Sequence, residues 1–192
     1  MAYTTIDDPF NFFNTVLYTG ANKSITGVNF QPDWVWIKER DSGYHAIFDS
    51  VRGATKVLSS NVNNAESTQS DTLTAFGTDG FTLGADSANY VGGSSTSTVS
   101  WNWLGGTAFS NDASATGVGT IDSSGTTNQT AGFSLVSFTG NGSASQSVAH
   151  NLGGTPEMII FKCRETATDW TTFHTSLGGA NKNLSLNSNS AV

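Results

Sequence analysis

Three blocks of this chain occur twice, in the same order. FNTVLYTG at Phe13 to Gly20 matches FSLVSFTG at Phe133 to Gly140, sharing Phe, Val, Thr and Gly in register and keeping an aromatic at Tyr18 and Phe138. QPDWVWIKER matches TPEMIIFKCR, aligning Pro32 with Pro156, Lys38 with Lys162 and Arg40 with Arg164. GATKVLSSNVNNA from Gly53 then matches GANKNLSLNSNSA from Gly179. The offset grows from 120 (133 − 13) to 124 (156 − 32) to 126 (179 − 53), so the insertions fall in polar stretches between blocks, where loops tolerate them. An internal repeat of this kind restricts the architecture to structural units laid end to end.

The first unit runs on through LTAFGTDGFTLG and STVSWNWLGG, and the second has no counterpart to either. The expected organisation is therefore residues 1–12 as an N-terminal segment, 13–106 as a first unit and 133–192 as a truncated second unit. The whole reads as a fragment of a longer repeat protein. Residues 107–132, rich in Ser, Thr, Gly and Ala, read as a linker with a short strand at Val118 to Ile121.

Ser, Thr, Asn and Gly supply nearly half of the 192 residues, charged residues only 12%, and there are three prolines. That balance favours short strands joined by polar turns. In DWVWIKER, Trp34 and Trp36 point one way and Val35 and Ile37 the other, so both faces of the strand are apolar and it belongs inside a sandwich. Trp34, Trp36, Trp101 and Trp103 read as core, since Met158 and Ile160 replace the first two in the copy. Thr78, Asp79 and Gly80 join two short strands in a tight hairpin, and STVSWNWLGG places Val99, Trp101 and Trp103 on one face. The expected fold is all-β: antiparallel β-sandwich units, jelly-roll or concanavalin A-like, in tandem. One helical turn is expected where Asp8 caps Pro9.

A net charge of −7 and a pI near 4.6, with no basic run, exclude a phosphate-gripping surface, so no nucleic acid partner is expected. The start, MAYTTIDDPF, lacks the basic and apolar regions of a signal peptide. No stretch approaches the roughly 18 apolar residues of a membrane span, and no membrane insertion is expected. The one cysteine, Cys163, rules out an intrachain disulfide. His45, His150 and His174 lie in separate segments without a nucleophile or zinc motif, so no catalytic residue is assigned and no enzyme activity is expected. Asp71, Asp79 and Asp86 are grouped but match no calcium-loop spacing, and read as turn residues. No cofactor and no metal are expected. Tyr44 and Trp170 sit in connecting segments and are the aromatic candidates for a contact surface. Arg52 becomes Gly178 in the copy and so lies outside the shared pattern.

MAYTTIDDP, FNTVLYTG, FQPDWVWIKERD, FDSVRGATKVLSSN, LTAFGTDGFTLG and SWNWLGG, in this order, resemble the repeat family found in virion proteins of marine tailed phages, of the cyanophage and pelagiphage type. Its members are described as tail-fibre or structural proteins. In many of them the last block resembles YVAWCWKAGG, where this chain has TVSWNWLGG after a polar run. The resemblance implies a phage virion structural protein, a tail fibre or tail-attached appendage acting in host attachment. The alternatives are a lectin-like carbohydrate-binding module and a capsid decoration protein. Implied partners are other tail proteins and a host-surface glycan, with a homo-oligomer, three subunits first, as the expected assembly. Phe10, Phe12 and Phe13 beside the first cap are the expected virion-docking residues, either tucked into the adjacent unit or presented to a partner.

Overall fold

A computed structural model of the chain describes residues 6–41, 43–179 and 181–189. The fold is all-β and antiparallel. Nine strands make up the first half: β1 (Phe13–Thr19), β2 (Lys23–Ile25), β3 (Trp34–Glu39), β4 (His45–Asp49), β5 (Lys56–Ser59), β6 (Ser67–Thr68), β7 (Leu73–Gly77), β8 (Gly80–Leu83) and β9 (Ser97–Trp103). Six form a sheet in the order β1-β9-β3-β4-β5-β6, and three a second in the order β2-β8-β7. Asp8 caps a 3-10 turn, Pro9–Asn11, ahead of β1, its carboxylate accepting from Phe10 N at 3.1 Å with Pro9 at the first position.

The two sheets close over one apolar core. Val35, Ile37, Ala46, Phe48 and Val57 line the inner face of the six-stranded sheet and pack with Ile25, Leu73, Phe81 and Leu83 from the smaller one. These positions alternate along their strands, as a pleated sheet requires. β7 and β8 are joined by Thr78 and Asp79, Gly77 lying opposite Gly80. Gly80 has φ +146°, and a Cβ there would stand 2.0 Å from the carbonyl of Ile25, so the start of the central strand β8 needs glycine.

β9 turns the expected polarity over. Val99, Trp101 and Trp103 do share a face, but it is the half-buried outer one, while Thr98, Ser100 and Asn102 are fully buried on the inner side. Their side-chain donors are used locally, while Asn102 Oδ1 is buried without a hydrogen-bond partner. Asn102 Nδ2 donates to Asn14 O at 3.0 Å and Ser100 Oγ at 3.1 Å, and Ser100 Oγ to Val16 O at 3.5 Å. Buried amides and hydroxyls persist where such bonds replace water.

Asp33, 7% exposed, closes the corner where β3, β4 and β9 meet. Its carboxylate accepts from Ser50 Oγ at 2.6 Å and from the backbone N–H groups of Gly105 and Gly106 at 2.7 and 3.2 Å. An Asp33→Ala variant should lose about 2 kcal/mol in urea unfolding, since three donors would be left without their acceptor. An unchanged midpoint would mean that the corner is held by the ladder alone.

The second half holds β10 (Thr107–Asn111), a four-residue helix α1 (Ala113–Thr116), β11 (Ser123–Asn128), β12 (Phe133–Phe138), β13 (Met158–Phe161), β14 (Thr171–His174) and β15 (Leu184–Ser185). It makes two three-stranded sheets, β10-β11-β12 and β13-β14-β15. Residues 107–132 are therefore not a plain linker. Two strands lie at Thr107–Asn111 and Ser123–Asn128 rather than at Val118 to Ile121, where Ile121 makes only an isolated bridge to Val148. The reason is that hydroxyl-rich strands carry little apolar alternation, so their strand character does not stand out in the composition.

Candidate functional site

The outer face of the six-stranded sheet carries rows of aromatic and aliphatic side chains. Register places Phe13, Trp103 and Trp34 side by side, then Trp101, Trp36, Ile47 and Leu58 in the next row. Trp34 and Trp36 stack with ring centroids 6.3 Å apart and planes within 1°. This is a second apolar face, and the second half of the chain covers part of it. Phe133 at the start of β12 stacks on Trp34 at 5.5 Å and on Trp103 at 6.1 Å. Trp170, with Ile160 and Leu186, packs on Ile47 and Leu58.

Trp170 thus corrects the sequence reading. It is 4% exposed, and its indole Nε1 donates to Ser59 O at 2.9 Å, so it seals the join between the halves and presents no contact surface. It precedes β14 at the position where His45 opens β4, and no property of its own segment reveals which neighbour covers it. The four tryptophans read as core are half-buried, because they belong to this second face and not to the sealed interior.

An ionic cluster borders the same join. Arg52 Nε donates to Asp49 Oδ2 at 2.5 Å and Arg52 Nη1 to Glu66 Oε2 at 3.0 Å. From the second half, Arg164 grips the same carboxylate with both arms, Nε to Oε2 and Nη2 to Oε1, each at 3.0 Å. Glu66 N donates to Arg164 O at 2.8 Å as well. Burial pushes the Glu66 carboxyl up, but the hydrogen bonds and charges of Arg164 and Arg52 outweigh it and hold the group below its ordinary value. Arg52, which the copy replaces by Gly178, has a purpose peculiar to the first half: it supports the acid that the second half binds.

The expected docking residues separate. Phe13 packs on Trp103 at 4.7 Å, Phe12 is half-buried with its carbonyl accepting from Leu104 N, and Phe10 is 57% exposed. Residues 1–5 of that segment lie outside the described residues. Tyr44 is half-buried and stacks on Tyr90 at 4.5 Å. Of the three grouped aspartates, Asp79 serves one turn, and Asp71 and Asp86 meet at another, where Asp86 N donates to Asp71 O at 2.8 Å. Asp79 accepts from Gly27 N and Asn29 N, Asp71 from Ser87 N and Oγ, and Asp86 from Tyr90 N and Val91 N. His150 and His174 each accept a backbone N–H on Nδ1, from Leu152 and Ser176. His45 is held below its ordinary value by burial first and then by the charge of Lys38. Among the described residues no helix is long and apolar enough to cross a membrane.

These surfaces define an all-β protein of packed antiparallel sheets whose conspicuous feature is an internal aromatic join. The chain belongs to the family described as domain of unknown function DUF7483, which matches residues 8–192 and so takes in both repeats and the segment between them. No curated protein and no solved structure matches the chain.

Proposed function

We propose that this chain is a structural protein of a bacteriophage virion, part of a tail fibre or tail-attached appendage that takes part in host-surface attachment. The motif order that resembles marine phage fibre repeats supports the reading. The single structural observation behind it is the join itself: stacked tryptophans and a doubly gripped Glu66 fix one repeat-bearing half against the other. Stiff β modules joined in this way would pass load along an appendage, and repetition across subunits would convert weak contacts into avidity. The role is load-bearing and adhesive rather than catalytic. Glycan cleavage by the purified chain, abolished by changing one carboxylate, would overturn that part.

Within this reading Phe10 is the residue left for the docking contact to other tail proteins, Phe12 and Phe13 being drawn into the fold. Tyr44, with Tyr90 behind it, is the aromatic surface offered to a host glycan. The assembly is a homo-oligomer, three subunits first, which a mass measurement in solution tests directly. Phe10→Ala should change the free energy of unfolding by less than about 0.5 kcal/mol, as exposed positions do. It should nevertheless reduce incorporation into particles. Deleting residues 2–12 should leave a folded protein that fails to assemble, and normal assembly would rule docking out. Imaging of particles labelled on this chain would place it on the tail; label spread over the capsid lattice would favour a decoration protein instead.

A further inference from the structure

Where the sequence blocks match, the strands pair in matching register. Trp34 lies opposite Asp49 and Met158 opposite His174; Ile47 lies opposite Leu58 and Thr172 opposite Leu184. In the first half β9 runs between β1 and β3 and pairs with both. Their counterparts are β12 and β13, and among the described residues no strand pairs between these two.

Both edges are turned to receive one. Backbone groups of alternate residues in an antiparallel strand face opposite edges. In β1 the even-numbered positions face β9: Asn14 O accepts from Asn102 Nδ2, and at the two ends Phe12 O accepts from Leu104 N and Gly20 N donates to Thr96 O. In β12 the odd-numbered Leu135 turns its carbonyl to β11, 1.8 Å from where a Cβ on Gly125 would stand. Ser134, Val136 and Phe138, counterparts of Asn14, Val16 and Tyr18, therefore face the other edge. In β13 the Glu157 carbonyl accepts from Thr175 N on the β14 side, so Met158 and Ile160 face away from β14, as Trp34 and Trp36 face β9. Arg164, just past β13, reaches Ser137 Oγ in β12 at 3.5 Å, so the two strands lie within one side chain's reach of each other. On the face that the small sheet covers in the first half, Ile37 is fully buried, whereas its counterpart Phe161 is 42% exposed.

We propose that the gap between β12 and β13 is a strand-acceptor site. Its occupant is an extended segment of the β9 kind, Thr-Val-Ser-Trp-Asn-Trp, from a polypeptide outside these residues. It would run antiparallel to both edges with its final tryptophan between Phe133 and Met158, turning its indoles to the outer face and its small polar residues inward. Strand addition of this type takes affinity from the main-chain ladder and specificity from alternate side chains. A second copy of this chain does not supply the strand, because β9 is paired along both of its edges. The inference rests on the strand correspondence and not on the virion reading, so either can fail alone.

The test adds a synthetic peptide, TSTVSWNWLG, to the full chain and measures binding by calorimetry. Saturable one-to-one binding is expected, weakened at least tenfold by Val136→Pro or Ile160→Pro, each of which removes an N–H facing the gap. A second arm leaves the protein untouched: N-methylation of alternate peptide amides, or scrambling the peptide, should weaken binding to the same degree. Absence of binding would overturn the proposal, as would binding indifferent to scrambling and N-methylation. Self-association of the chain that Val136→Pro and Ile160→Pro both abolish would also overturn it, since a second copy would then cover the edges.

Discussion

Replacing Trp170 by alanine is expected to cost about 4 kcal/mol of stability, the upper part of the range for deleting a large buried aromatic. Two terms add. The side chain fills the space between Ile47, Leu58, Ile160 and Leu186, and its removal leaves a cavity in the join. Its indole N–H also donates to the Ser59 carbonyl, which would keep only the longer bond from Val62 N at 3.4 Å. Trp170→Phe separates the two, keeping most of the packing and losing the hydrogen bond, and should fall near half the alanine value. Urea unfolding of the three proteins measures this. A loss below about 1 kcal/mol for alanine would mean that the halves do not depend on this contact, on the scale of ordinary surface substitutions. If they do, protease sensitivity between β10 and β12 should rise in the alanine variant before the core of the first half opens.

How this join escaped sequence reading is instructive. The all-β class, the hairpin at Asp79 and Gly80 and the cap at Asp8 were legible because each depends on local chemistry: period-2 alternation, a turn residue, a side chain that bonds two residues on. The inner and outer faces of the six-stranded sheet were not separable on those grounds. Val35 and Trp34 are both apolar, and which faces the sealed core depends on where the small sheet and the second half settle. Trp170 looked like a loop aromatic because its partners, Ile47 and Leu58, lie more than a hundred residues earlier in the chain. β9 was legible in its alternation and illegible in its polarity. Ser100 and Asn102 face inward where neighbouring backbone carbonyls accept from the Ser100 hydroxyl and the Asn102 amide N–H groups, a property of the neighbours and not of the segment. The repeat itself was visible from a few shared residues, and register carries the likeness to strands where side chains have diverged, as Thr172 opposite Leu184 does for Ile47 opposite Leu58.

Glu66→Ala is expected to cost about 3 kcal/mol at neutral pH, because it leaves Arg52 charged and only 6% exposed with one of its two acids gone. Arg164→Ala should cost about 1 kcal/mol or less, since the ion pair is screened by water at its 44% exposed arginine and the Glu66 left behind keeps its bond from Arg52 Nη1 at 3.0 Å. The asymmetry follows from which partner is left buried and not from which bond is shorter. Both arginines hold the folded-state pKa of Glu66 below its unfolded value, so the unfolded chain takes up the proton first as pH falls. The contribution of the carboxylate is therefore complete above the unfolded value, about 4.3 for a glutamate, and is lost as pH drops through the lower folded value. Glu66→Gln removes the charge and keeps the shape. Its stability gap to the parent should be constant from pH 7 down to about 5 and should close below the ordinary glutamate range. Thermal melts of the two proteins across that interval measure the gap. A gap that persists unchanged at low pH would show that the glutamine deficit is one of packing, and that the charge at this join does not hold the halves together.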